Sequence, residues 1–171
     1  MKTSILGIEL IKHFESLHDG DLKKIGLQPK LCPANVWTVG YGHAVKHPNG
    51  RVVRGSTDIE TLNKMFPQFA TMTEKEAGDL LQIDLLSYEK LVDEYLEREI
   101  TQNEYDALVS HTYNTGGSRS LFKFVNQNIP EMVYKWFTQH YITVNGVVFR
   151  GLQRRRQTEW TLYSTGELKL L

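Results

Sequence analysis

Two places in this chain carry residue types that can do chemistry. Glu15 follows Phe14 where an apolar helical pattern runs out. A carboxyl held between an apolar helix end and a cleft is partly desolvated. That condition keeps a carboxylic acid protonated near neutral pH, as a general acid to a glycosidic oxygen must be. Position alone favours a solvated glutamate that merely ends a helix. The second place is the run CPANVWTVGYGH from Cys32 to His43. Thr38 offers a hydroxyl that can orient a water. Gly40 and Gly42 permit close backbone approach in a tight sheet. Trp37 and Tyr41 can pack or stack on a sugar, and His43 can titrate or hold a neighbouring carboxylate. Each also has a plainer reading: core aromatics, a satisfied structural histidine, and in Cys32 a small buried hydrophobe.

Regular elements must hold these residues. Apolar positions at 4–14 repeat with the i, i+3, i+4 spacing of a helix with one buried face. Residues 18–30 are polar with Asp19-Gly20, Gly26 and Pro29, which reads as a loop. Residues 36–54 alternate Val and Tyr with Gly and hold the turn Pro48-Asn49-Gly50, the pattern of a small antiparallel sheet. A short helix fits near 58–65. Thr73 with Glu76 is a capping-box signature, and helical spacing continues to about residue 97. At ~1.5 Å per residue that helix is roughly 35 Å long. A second capping box, Thr101 with Glu104, opens a helix ended by Gly116-Gly117. Helices are predicted at 121–126, 130–138 and 152–163, with a type I′ hairpin at Val144-Asn145-Gly146-Val147. The order gives an α+β fold with two unequal lobes.

Composition bounds the function. The 171 residues suffice for one domain with a real core, and the formal net charge is zero, so nothing demands a nucleic-acid partner. Residues 1–100 hold 12 Lys+Arg against 15 Asp+Glu, and residues 101–171 hold 8 against 5. A basic C-terminal surface is therefore open to a carboxylate-bearing polymer. Arg154, Arg155 and Arg156 lie there. They can meet carboxylates through their planar forks or form a solvated helix face. The single cysteine rules out an intrachain disulfide. The six histidines lack ligand-like spacing, so no metal is expected. No apolar run approaches the ~20 residues of a membrane span. Glu9 interrupts the first apolar run and no small-residue cleavage site follows, so no secretory signal is read.

FES followed by CPANVWTVGYGH resembles the phage-type lysozymes, or endolysins, of glycoside hydrolase family 24. The family pattern has a Glu ending the first helix, an Asp or Cys, and a Thr six residues later inside Thr-x-Gly-x-Gly-His. NEYDALVSHTYNTGG resembles the family helix that carries Asn or Gln before its glycine turn. GLQRRRQTEWTLY resembles its C-terminal Gly-Leu-x-x-Arg-Arg-x-x-Glu segment. The resemblance runs from about residue 5 to 165.

It implies a lysozyme-like α+β fold as a single domain. A small β-containing lobe would span about 12–72 and a connecting helix about 73–97. The helical lobe would span about 98–171 and include the first helix. The cleft would lie between the lobes. It implies catalysis by Glu15, Cys32 and Thr38, with His43, Tyr113, Asn114, Arg154 and Arg155 binding substrate, and no cofactor. The substrate would be bacterial peptidoglycan, cut between N-acetylmuramic acid and N-acetylglucosamine. The enzyme would be a monomer without nucleic-acid partners or stable membrane association. Made in the bacterial cytoplasm, it would reach the wall through a membrane lesion, such as holin-dependent release.

Three departures from the family bear on mechanism. Sixteen residues separate Glu15 from Cys32, more than in the shortest members, so the loop at 18–30 would sit at the cleft mouth. Asn35 stands where many relatives have glycine, which suggests positive φ. Cys32 replaces the commoner Asp. A thiol of pKa near ~8.5, raised further by a neighbouring carboxylate, would be mostly neutral in the free enzyme. It would act as a thiolate base or as a direct nucleophile. Inversion and retention stay open, as do two other functions: a lytic transglycosylase cutting the same bond, and a non-catalytic peptidoglycan-binding module.

Overall fold

The computed structural model describes all residues, 1–171. In chain order the elements are α1 (Ile5–Glu15), β1 (Lys30–Leu31), β2 (Trp37–Val39), β3 (His43–Ala44), α2 (Ile59–Met65), α3 (Glu74–Tyr95), α4 (Gln102–Thr115), α5 (Arg119–Asn126), α6 (Pro130–Gln139), β4 (Thr143–Val144), β5 (Val147–Val148) and α7 (Arg150–Thr165). A 3-10 turn, Pro67–Phe69, precedes α3. The fold is mixed helix and sheet. No helix is long and apolar enough to cross a membrane.

The chain forms two compact units. One joins Met1–Phe14 to Leu85–Leu171; the other is Glu15–Asp84. The division falls inside α3, between Asp84 and Leu85, whereas the sequence reading set the whole helix apart as a connector.

The unit Glu15–Asp84 is built on an antiparallel sheet in the order β1-β2-β3. Lys30 faces Thr38, Leu31 faces Trp37, Thr38 faces Ala44 and Val39 faces His43. β1 lies at the end of the segment read as loop, because two residues are too short to show alternation. Bridges Val36–Arg54 and Lys46–Val52 extend the ladder. Val39, Val45, Val53, Leu62, Phe66, Met72 and Ala77 form its core. Gly40 decides how close the sheet comes to α3. A Cβ there would lie 3.2 Å from the Cβ of Ala77, and its φ of +55° is one that L side chains rarely adopt. Asp58 caps α2, accepting the Thr61 N–H at 2.9 Å. Glu76 accepts the Thr73 N–H at 2.7 Å at the start of α3.

In the other unit, α4 is buried on every side from Tyr105 through Thr112. α7 packs on α4 and α6, and α5 packs on α6. Leu10, Ile11, Leu108, Leu121, Phe122, Phe137 and Leu162 fill the core. The Thr101–Glu104 capping box is complete, with both reciprocal bonds. The hairpin β4–β5 turns on Asn145 at φ 51° and Gly146 at φ 78°, the two positive values a type I′ turn requires.

Candidate active site

Glu15 is the last residue of α1 and is half-buried. Ser16 takes a left-handed conformation, φ 57°, and turns the chain sharply. Two residues later the His18 N–H donates to the Gly40 carbonyl at 2.9 Å. The segment leaving Glu15 is thus stapled to the strand end two residues beyond Thr38.

Cys32 follows β1 in a tight turn. Its N–H donates to the Val36 carbonyl at 2.9 Å, and its carbonyl accepts the Asn35 N–H at 2.8 Å. Asn35 has φ 60°, the positive value its place opposite a family glycine suggested. Thr38 is only 5% exposed, and its hydroxyl donates to the Val36 carbonyl at 3.2 Å.

The thiol differs from expectation. Burial pushes its pKa up, but the N–H groups of Val36 and Ala34 and the Thr38 hydroxyl favour the anion and outweigh it. The result lies below the ordinary thiol value. The expectation of a thiol raised above its ordinary value is therefore corrected. It considered the neighbouring carboxylate and missed the backbone donors of the turn. A hydroxyl has one proton. Thr38 gives it to Val36 while the thiol is neutral, and can swing it to sulfur when the thiolate forms.

His43 holds a carboxylate, as its sequence reading allowed. Nδ1 lies 2.9 Å from both oxygens of Asp84. The ring also tilts against Phe69 at 5.4 Å. Asp84 sits on α3, 41 residues away, and sequence reasoning did not single it out. Trp37 donates its indole N–H to the Thr57 carbonyl at 2.8 Å. Tyr41 is buried and donates to Glu74 at 3.2 Å. Burial, then the Glu74 charge and hydrogen bond, raise the phenol's pKa.

The remaining candidates lie in the other unit. Tyr113 tilts against Tyr88 at 4.9 Å. Asn114 is exposed, and its Oδ1 accepts from Arg156 at 3.1 Å. The three arginines do not form a solvated face. Arg154 is exposed, but Arg155 is 3% exposed and Arg156 0%. Both converge on Glu159, itself fully buried. Arg155 Nε lies 3.2 Å from Oε1, Arg156 Nε 2.8 Å from Oε2, and a second Arg156 nitrogen 2.8 Å from Oε1. Ser110 adds a hydroxyl at 2.8 Å. The charge of Arg155 is thus balanced inside the protein. Arg–Glu spacing of i, i+3 and i, i+4 on one helix was the available signal; that Ser110 on α4 completes the cluster was not readable.

The comparisons agree with this architecture. The family model described as Phage lysozyme matches residues 21–159. The endolysin of Bacillus phage B103 is 30% identical over 99% of this chain, and the chain spans 56% of its length. The chain thus covers little more than half of that relative. The solved endolysin from Escherichia coli O157:H7 phage FAHEc1 superposes with a TM-score of 0.74 at 25% identity, covering 99% of this chain and 97% of its own. The muramidase domain of SpmX from Asticaccaulis excentricus superposes with a TM-score of 0.69 at 27% identity, covering 96% and 98%.

Proposed function

The chain belongs to the phage lysozyme family, and from that premise we propose that it is a muramidase. It hydrolyses the β-1,4 bond between N-acetylmuramic acid and N-acetylglucosamine in bacterial peptidoglycan. Glu15 is the general acid: it protonates the glycosidic oxygen as the bond to the anomeric carbon breaks. Water supplies the replacing oxygen. Cys32, as thiolate, takes a proton from that water, and Thr38 orients it.

The observation that carries this reading is the surroundings of Cys32. Backbone N–H groups of the turn and the Thr38 hydroxyl favour the thiolate, so a thiol can serve as base where a carboxylate usually does. The bond from His18 to Gly40, which ties the Glu15 segment to the same strand, supports the grouping. Tyr113, Asn114 and Arg154 are proposed to meet the substrate. His43, held by Asp84, supports the turn between β2 and β3, and Arg155 acts by positioning rather than by contact.

Mass spectrometry of soluble fragments from purified peptidoglycan tests the proposal, wild type beside Glu15→Gln. Water-added muropeptides from the wild type alone are expected. Anhydro products would make the protein a transglycosylase and remove the water-handling role of Cys32 and Thr38. Sedimentation with peptidoglycan without fragment release would make it a binding module.

A further inference from the structure

Four polar side chains of α4 and α7 close a ring. Ser110 and Asn114 stand one turn apart on α4, and Arg156 and Glu159 lie three residues apart on α7. The Ser110 hydroxyl donates to Glu159 Oε1 at 2.8 Å. Arg156 donates to both Glu159 oxygens, each at 2.8 Å. A terminal nitrogen of Arg156 also donates to Asn114 Oδ1 at 3.1 Å. Ser110, Arg156 and Glu159 are fully buried, and Asn114 is exposed. The ring thus runs from the core to the surface, and only its last member meets water.

Each link limits the next. A carboxylate only accepts, and a guanidinium only donates. Arg156 therefore presents nothing but N–H to Asn114, and only the amide oxygen can face it. An exposed asparagine otherwise turns its amide half a circle at little cost. Here Oδ1 is held inward, so Nδ2 and its two N–H groups lie on the outer edge. Arg156 is the one partner this side chain has within the protein.

The backbone beneath is pinned as well. Gly116 ends α4 in the left-handed region, and its N–H donates to the Thr112 carbonyl at 2.8 Å. The Thr115 hydroxyl donates to the His111 carbonyl at 2.9 Å and accepts the Gly117 N–H at 3.2 Å. A donor fixed in this way costs little to order when a substrate arrives.

We infer that Arg156, held by Glu159, locks Asn114 as a hydrogen-bond donor, and that Asn114 thereby selects a carbonyl-type oxygen on the substrate. Which substrate carries that oxygen rests on the muramidase reading. Peptidoglycan offers it in the acetamido groups of the glycan and in the carbonyls and carboxylates of the stem peptides. A hydroxyl can meet either edge of an amide, whereas a carbonyl oxygen meets only the donor edge. Arg156 and Glu159 are positioning residues, buried out of reach of the substrate.

The test starts at the exposed end of the ring. Asn114→Asp keeps an acceptor for Arg156 and removes the outward donor. Its melting temperature should hold or rise, because a carboxylate accepts from a guanidinium at least as well as an amide does. Its KM on peptidoglycan should rise about fivefold or more, the scale of one lost hydrogen bond, and no less than that of Asn114→Ala. A wild-type KM in Asn114→Asp overturns the inference. A double-mutant cycle tests the lock. Arg156→Met leaves Glu159 with Arg155 and Ser110 and frees the amide to turn. It should raise KM by itself and raise it no further in Asn114→Ala. Equal increases in both backgrounds would make Arg156 a structural residue only and overturn the lock. Should Arg156→Met not fold, side-chain 15N relaxation of wild-type Asn114 takes its place, and an order parameter below ~0.6 overturns the lock. The full chain carrying Glu15→Gln, titrated with tri-N-acetylchitotriose and separately with free stem peptide, tells the two oxygen sources apart. The Asn114 NH2 resonance, identified by its loss in Asn114→Asp, should shift with the one that supplies the oxygen; a shift with neither overturns the inference. If wild type releases no fragments while this shift persists, the muramidase reading fails and the donor site stands.

Discussion

Replacing Glu159 by Gln tests the buried ionic cluster most directly. Glu159 is fully buried, and its carboxylate receives Ser110 and both Arg155 and Arg156 at 2.8–3.2 Å. The substituted amide would keep one acceptor oxygen and turn an NH2 group toward the guanidinium groups. The anion that balances two buried cations would be lost. Removing one partner from a buried ion pair typically costs about 3–5 kcal/mol. For a domain of this size each kcal/mol moves Tm by about 2–4 °C, so Tm should fall by about 6–20 °C. Urea unfolding followed by circular dichroism, with the slope unchanged, gives the free energy itself. Asp79→Asn, which removes an exposed i, i+4 partner of Lys75, is the control and should change little. A Glu159→Gln loss below about 1 kcal/mol, the scale of a surface pair, would refute the reasoning. It would mean that other partners of the two arginines carry the cluster.

Three other predictions concern titration and catalysis. Cys32→Asp should keep substantial hydrolysis of peptidoglycan while Cys32→Ala, equally folded, loses about 10²–10⁴-fold; an alanine variant at the wild-type rate would remove Cys32 from the chemistry. The rate of Cys32 alkylation by iodoacetamide should rise with pH at a midpoint below that of a free thiol, and Thr38→Val should move that midpoint up. His111 is fully buried, and burial, then Arg156, Arg155 and His140, hold its pKa well below the ordinary value. The unfolded chain therefore takes up a proton that the folded one refuses. The stability His111 permits is whole above the unfolded pKa of about 6.5 and falls as pH drops below it. Urea midpoints measured from about pH 7 to about pH 5 should show this slope, and His111→Phe should flatten it.

Much of the fold was legible because it is local. A capping box needs only four residues, so Thr73–Glu76 and Thr101–Glu104 announced α3 and α4 within a residue or two of their observed starts. Asn145-Gly146 specified its own hairpin turn. The Cys32-to-Thr38 spacing announced a candidate site because both residues lie in one turn and strand. What escaped depends on distant partners. Helical spacing marked one face of α4 as apolar. Its burial on all sides follows from the helices packed around it. Ser110 on α4 and Glu159 on α7, 49 residues apart, share one buried bond that neither local pattern contains.

The sequence by itself determined the helix starts, the tight turns, the family, and which residues were worth watching. Tertiary structure alone decided their electrostatic state. It assigned Asp84 to His43, held the Cys32 thiol below its ordinary pKa through backbone groups of its turn despite burial, and buried two of three arginines that the sequence left free to face a ligand. The physical reason is range. Backbone propensity and capping act over a few residues of chain. Desolvation and charge pairing act through space, between groups the chain brings together only when folded.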